Sequence, residues 1–415
     1  MKKILFLSCN YPYGLFGPST LCTSRIMECL CQDENYEVHN ISFPKNSKPS
    51  YSVLDKVHLH FLKQIPSWKK RSRISSCIKN IISVLTYPNN SPLVNRRFYR
   101  DCLKLIKGQQ FDLVIAQCFP EKCVWAGTWL KEKGYIDQLM VIFWDNLYGK
   151  LPQRFIPKTY ALRRQRKAEG HIAQQADLLI SLYPIKVFHD QYGDLPEARN
   201  KRVYLGIPSI SRPQQLPCSS YQNVLKAGMI NMVFSGTIFR REYVSFLIDL
   251  FNLSSMSEKI NLIFFARGVS DEDFKSFKRI FRGNIEYNGW IPINDLHALY
   301  PFADFFMSYP GNPSSICSKV YEYMSYGKPI LLLYDTEQDV NVSTFSKYPA
   351  FMAIDIRKPA RENIDAVDTF IITNQNCIIP FEETEKLFPN DSAAAYVQCI
   401  KEMLEIKPNV LHQNT

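Results

Sequence analysis

Short apolar runs alternate with longer stretches of helical period through the first half of the chain. The runs at 3–8, 37–41, 112–117, 139–143, 177–181 and 202–205 are rich in Val, Ile, Leu and Phe. That is the composition of parallel strands covered on both faces. Between them, 19–31, 93–107, 121–133 and 158–175 read as helices. Residues 206–225 carry three prolines and little apolar periodicity, which predicts a linker. A second series follows, with strands at 230–235, 261–265, 285–288, 304–307 and 329–333. Its helices fall at 241–251, 271–280, 294–300 and 315–326, and an amphipathic helix runs over 392–404. The alternation predicts an α/β chain of two Rossmann-like, doubly wound parallel-sheet domains facing each other across a cleft. The expected domains are 1–205 and 226–390, with a helix in 391–415 packing back towards the N-terminal one.

At 415 residues the chain is too long for a single core. With 46% hydrophobic and 21% charged residues it has a globular balance, which excludes a disordered chain. No run approaches the roughly 18 apolar residues of a membrane span. The opening MKKILFLSCNYPYG is too short in its apolar part for a signal peptide, so a cytoplasmic location is expected. Twelve cysteines without a CxxC pair read as reduced thiols serving as small core hydrophobes. His58 and His60 alternate on a possible strand and His171 lies in a helix. No spacing among them suggests metal ligands, and no metal is expected.

The net charge of +11 is concentrated. Between 45 and 107, lysines and arginines are opposed only by Asp55 and Asp101, and Arg163, Arg164, Arg166 and Lys167 form a second cluster. Phe61, Ile65, Trp68 and Ile74 interleave with the first cluster, a mixture that suits an anionic membrane surface. No nucleic-acid-binding module accompanies the charge, so no nucleic acid is expected as partner.

The most informative stretch is Tyr309-Pro-Gly-Asn-Pro-Ser-Ser-Ile-Cys-Ser-Lys-Val-Tyr-Glu-Tyr-Met-Ser-Tyr-Gly-Lys-Pro-Ile330. A strand ends in a Gly/Pro/Ser loop and a helix follows, with Ser314 and Ser315 at its predicted start. Exposed amides and the helix dipole there suit a diphosphate. Lys319 can offset phosphate charge, and Glu322, three residues on, shares its helix face. A carboxylate so placed can accept from both ribose hydroxyls. Gly327 is expected to cap the helix. Upstream, Phe234-Ser-Gly-Thr-Ile-Phe-Arg-Arg241 reads as strand, turn and helix start. Gly236 would let a phosphate approach the backbone, with Arg240 or Arg241 supplying charge.

These segments resemble the donor-site signature of family 4 glycosyltransferases of the GT-B fold, particularly the Ser-Lys-x-x-Glu-Tyr-Met-x-x-Gly-Lys-Pro pattern of bacterial polysaccharide assembly. Leu296-x-x-Leu-Tyr-x-x-Ala-Asp304 and Tyr287-Asn-Gly-Trp-Ile291, with Gly289, extend the likeness. The resemblance implies that Glu322 binds the nucleotide ribose and that the loop before it contacts diphosphate and sugar. Ser315 stands where many members have a second glutamate, and Thr237 and Glu242 replace a usual arginine and lysine. On the N-terminal side the likeness is looser. Gly14 and Gly17 lie in a loop that resembles one lining the acceptor cleft, Arg25 is at an often basic position, and Asp145 follows a strand where an Asp or His is common. The implied reaction is glycosyl transfer from a nucleoside diphosphate sugar to a hydroxyl, on a lipid-linked or polysaccharide acceptor, with retention of configuration and without cofactor or metal. The catalytic residues would be Asp145, Lys319 and Arg241, with leaving-group charge stabilised electrostatically. A sugar-nucleotide epimerase and an inactive scaffold on the same fold are the rival classes.

Overall fold

The computed structural model describes residues 1–9, 17–42, 56–62, 81, 84–89, 91–118, 121–144, 147, 156–311 and 316–405. The chain divides into two compact units, one formed by 1–208 with 393–415 and the other by 209–392.

The first unit is a seven-stranded, all-parallel sheet of order β3-β2-β1-β4-β5-β6-β7. Its strands are β1 (Lys2–Cys9), β2 (Tyr36–Ser42), β3 (Val57–Phe61), β4 (Leu113–Cys118), β5 (Leu139–Phe143), β6 (Leu178–Leu182) and β7 (Arg202–Leu205). Every residue of β4 and β5 is buried, as expected of central strands with helices on both faces. The 1–208 part of this unit contributes α1 (Gly17–Cys31), α2 (Pro92–Gly108), α3 (Glu121–Glu132), α4 (Lys158–Gln175) and α5 (Tyr183–Tyr192). Cys22, Cys102, Cys118 and Cys123 lie in the core among Ile, Leu and Val side chains.

The second unit has a six-stranded parallel sheet of order β10-β9-β8-β11-β12-β13. These strands are β8 (Ile230–Thr237), β9 (Ile260–Arg267), β10 (Asn284–Tyr287), β11 (Phe305–Ser308), β12 (Ile330–Tyr334) and β13 (Phe351–Asp355). Between and after them run α6 (Arg241–Leu253), α7 (Asp271–Ile280), α8 (Ile293–Leu299), α9 (Ser318–Ser325), α10 (Val340–Phe345), α11 (Ala360–Asn374) and α12 (Phe381–Leu387). In α7 the Ser270 hydroxyl accepts from the Asp273 amide while the Asp273 carboxylate accepts from the Ser270 amide, a reciprocal cap that fixes where the helix begins. Residues 209–225 belong to this unit, and Ser219 and Ser220 donate to the Asp295 carboxylate of α8.

The chain passes between the units twice. Beside the two passages, Ile210 pairs in parallel with Ser392, and the Ile210 amide donates to the Asp391 carbonyl at 3.1 Å. The helix α13 (Ala393–Glu405) then packs into the first core through Tyr396 and Ile400, both fully buried. The Tyr396 hydroxyl donates to the Gly206 carbonyl at 2.6 Å, and Lys401 pairs with Asp33 at 2.8 Å.

In both sheets the strand order reverses direction once, between β1 and β4 and between β8 and β11. Ligands of open α/β sheets bind outside the carboxyl ends of the strands at such switch points.

Candidate functional site

The switch point of the second sheet is where the chemistry collects. Strand β8 ends in Ser235-Gly236-Thr237 and β11 in Ser308, followed by Tyr309. Gly236 has φ 145°, a conformation side chains disfavour, and nothing but the Phe234 ring tip lies near its missing Cβ. The backbone is therefore open to a ligand at this point.

Tyrosines hold the strand ends in place. The Ser235 amide donates to the Tyr323 hydroxyl at 3.0 Å, and the Ser235 hydroxyl lies 2.6 Å from that of Tyr300. Burial and the nearby Glu322 charge push the Tyr300 hydroxyl well above the usual tyrosine range, so it stays neutral and able to donate. Tyr309 stacks on Tyr243 at 4.1 Å between ring centroids. Its hydroxyl donates to the Thr237 carbonyl at 3.0 Å and accepts from the Phe239 amide.

Helix α9 begins at Ser318, three residues later than the sequence predicts. Cys317 is its N-cap, without a side-chain cap, and its amide donates to the Asn341 side chain at 2.6 Å. The preceding Ser314 and Ser315 lie outside the described residues, as do Gly14 and Asp145. At the second residue of the helix, Lys319 Nζ is 2.7 Å from Glu322 Oε2. The other oxygen of Glu322 pairs with His297 Nε2 of α8. The Glu322 side chain is 7% exposed, against 29% for Lys319 and 17% for His297. At the far end Gly327, with φ 71°, closes the helix as a left-handed cap.

The two arginines part company. Arg240 pairs with Asp335 just beyond β12, and the Tyr243 hydroxyl donates to the same carboxylate at 3.0 Å. Arg241 turns to α7, where it meets Asp273 at 3.0 Å and lies over the Phe277 ring. Thr237 instead accepts from Arg267 Nε at 3.2 Å, and the Arg267 guanidinium lies 5.0 Å over the exposed indole of Trp290. Gly289 immediately precedes that indole, between β10 and α8. Thus Lys319 and Glu322 are brought together with His297, while Thr237 is joined by Arg267 and Trp290. His297, Arg267, Tyr309 and Trp290 carry no role in the sequence reading, although His297, Tyr309 and Trp290 sit inside its motifs.

On the first unit, Gly17 opens α1. Arg25 is buried in that helix and donates to the Pro208 carbonyl at 3.4 Å. Glu169 of α4, fully buried, meets Arg202 at 2.7 Å and His189 at 3.2 Å. Burial alone would raise its carboxyl, but the hydrogen bond from His189 and the charge of Arg202 hold it below the ordinary range.

The sequence reading finds no metal-ligand spacing among the histidines, yet the parallel register of β2 and β3 assembles a cluster. His39 pairs with His58 and Ile41 with His60. Residues two apart share a face, so Glu37, His39, His58 and His60 lie on one side of the sheet.

No family model and no curated protein matches the chain. Solved structures do, over nearly all of its length. Sucrose-phosphate synthase from Thermosynechococcus elongatus aligns at 12% identity and TM-score 0.62, covering 98% of this chain and 100% of that one. HepE from Anabaena, in complex with UDP and glucose, aligns at 12% identity and TM-score 0.59, with 98% and 100% covered. A UDP-N-acetylglucosamine 2-epimerase aligns at 14% identity and TM-score 0.53, with 97% and 96% covered. Two parallel-sheet α/β units and this likeness make the fold that of the two-domain, Rossmann-like GT-B proteins.

Proposed function

We propose that this protein is a family 4-like glycosyltransferase that moves a sugar from a nucleoside diphosphate sugar to a hydroxyl acceptor. The observation that carries the reading is the Lys319–Glu322–His297 trio on α8 and α9, beside the open Gly236 backbone at the strand ends. In this reading Glu322 accepts from the ribose hydroxyls. Lys319 faces the diphosphate, joined by the amides of Ser314 and Ser315. The barrier lies in the departure of the diphosphate, so cationic and amide groups aimed at its growing charge lower it. No metal is assigned to this step, and retention of configuration follows the family 4 resemblance. Arg240, Arg241 and Lys319 are each paired with a carboxylate, of Asp335, Asp273 and Glu322 respectively, so a diphosphate competes with that partner for whichever cation it meets. HepE, of like fold, is described with UDP and glucose, which supports a sugar-nucleotide donor.

The acceptor in this proposal is lipid-linked or a growing polysaccharide at the inner membrane face, approached through the basic 45–107 segment. Much of that segment lies outside the described residues, and among the described helices none is long and apolar enough to cross a membrane. Salt-sensitive binding to anionic liposomes is expected; equal binding to neutral vesicles would remove the membrane part of the reading.

The deciding experiment is a thermal-shift screen against UDP-, GDP- and ADP-sugars, because a ligand at 100 times its Kd stabilises the native state by about 2.7 kcal/mol. Absence of any shift counts against donor binding altogether. The epimerase reading is kept alive by the like fold of a UDP-N-acetylglucosamine 2-epimerase. Conversion of UDP-N-acetylglucosamine with no acceptor present would select it over transfer.

A further inference from the structure

The first unit carries a second, unrelated constellation at the edge of its sheet. Glu37 and His39 stand two apart on β2, and His58 and His60 two apart on the edge strand β3. The His39 ring is stacked with those of His58 and His60, at centroid distances of 4.7 and 5.2 Å, and the edge of Phe111 closes one side. His39 Nε2 is 2.8 Å from Glu37 Oε1, and His58 Nε2 is 3.8 Å from that same oxygen. Lys3 Nζ, at 3.5 Å, takes the other carboxylate oxygen and so turns Oε1 towards the imidazoles. His60 Nε2 lies 2.9 Å from His39 Nδ1.

We propose that Glu37, His39 and His58 form a binding site for a divalent transition metal of the zinc class, with His60 as the positioning residue behind His39. The three ligand atoms lie within 4.8 Å of one another. Tetrahedral zinc with bonds near 2.0–2.1 Å sets ligand atoms about 3.3 Å apart. The two separations from Glu37 Oε1, 2.8 and 3.8 Å, bracket that value, and the near-parallel His39 and His58 rings, 22° apart, must turn about their Cβ–Cγ bonds for both lone pairs to meet one ion. A set of two imidazoles and one carboxylate suits a borderline metal and leaves a fourth position for water. The ring nitrogen of a ligating histidine that faces away from the metal normally donates to an acceptor, and His60 Nε2 is placed to receive the Nδ1–H of His39. Because β3 is the edge of the sheet, the metal would staple that strand to its neighbour.

The test uses untagged full-length protein stripped with a chelator and titrated with zinc chloride. One zinc per chain is expected, with X-ray absorption showing only nitrogen and oxygen at about 2.0–2.1 Å. The cysteines make sulfur ligation the informative alternative. His58, 58% exposed, can be replaced without disturbing the core. His58→Ala should weaken zinc binding at least tenfold and abolish the zinc-induced rise in Tm, with the metal-free Tm unchanged. His60→Gln should weaken it by roughly tenfold while keeping the same ligand set. Sulfur in the coordination shell, or zinc affinity unaltered by both His58→Ala and Glu37→Gln, would overturn the assignment.

Discussion

Two glutamates, one in each unit, are held by the same kinds of partner. Glu169 is paired with an arginine and a histidine, and Glu322 with a lysine and a histidine. Around Glu169 every member is sealed: the side chains of Arg202 and His189 are each 1% exposed. Around Glu322 the carboxylate is buried but its partners reach solvent. The first arrangement can only support the fold, because a ligand has no path to it. In the second, the basic groups pair with a buried carboxylate while leaving it reachable. Exposure of the partners, more than burial of the acid, separates a strut from a candidate binding group.

The comparison breaks first at Glu169. Replacing it with alanine leaves the buried Arg202 with Asp194 at 3.3 Å and the Ser181 hydroxyl at 2.6 Å as its remaining partners, and a loss of about 3 kcal/mol, the lower end for a broken buried pair, is expected in urea unfolding. A loss below about 1 kcal/mol would show that the trio is not a strut. Next, Glu322→Ala should abolish most of the thermal shift given by a saturating nucleotide-sugar, worth about 2.7 kcal/mol at 100 times Kd, while the ligand-free protein still unfolds cooperatively. An unchanged shift removes the ribose assignment. Lys319→Ala should weaken the donor by ten- to hundredfold, as expected for a charge-assisted hydrogen bond worth about 1.5–3 kcal/mol; isothermal titration checks this.

A third carboxylate sharpens the contrast through pH. Burial raises Glu28 of α1 from 4.5 to about 7. The folded state therefore holds its proton more tightly than the unfolded chain, and its contribution is fully present below pH 4.5. That contribution declines as pH climbs through 7. Glu28→Gln should raise Tm at pH 8 and change it little at pH 4.5, and equal effects at both would exclude a buried acid. The smallest effect is expected at Arg240. Its side chain is 54% exposed, so Arg240→Ala should shift stability by under about 1 kcal/mol.

Much of this architecture is legible in the sequence because buried parallel strands are nearly pure runs of Val, Ile, Leu and Phe, as in 139–143. The helix carrying Lys319 and Glu322 is legible for a similar reason, since apolar spacing and Gly327 mark its body and end. Its start is harder to place, because Cys317 makes no side-chain cap and offers no signal. Strand β3 reads Val-His-Leu-His-Phe, where alternation is present but half the pattern is polar. The stretch after β12 yields α10, β13, α11 and α12, none of which the sequence reading places. There β13 is only partly buried over its first three residues, so the apolar run that marks the inner strands is weaker. His297 is invisible for another reason. Its partner Glu322 is 25 residues away, and only the packing of α8 against α9 joins them.

The position of α13 has a consequence for biosynthesis. A ribosome must finish the whole of 209–392 before Tyr396 and Ile400 can reach the core they complete. The earlier-made sheet therefore waits, short of Tyr396, one of its largest interior side chains, and of Ile400, while a later-made one can already close upon itself.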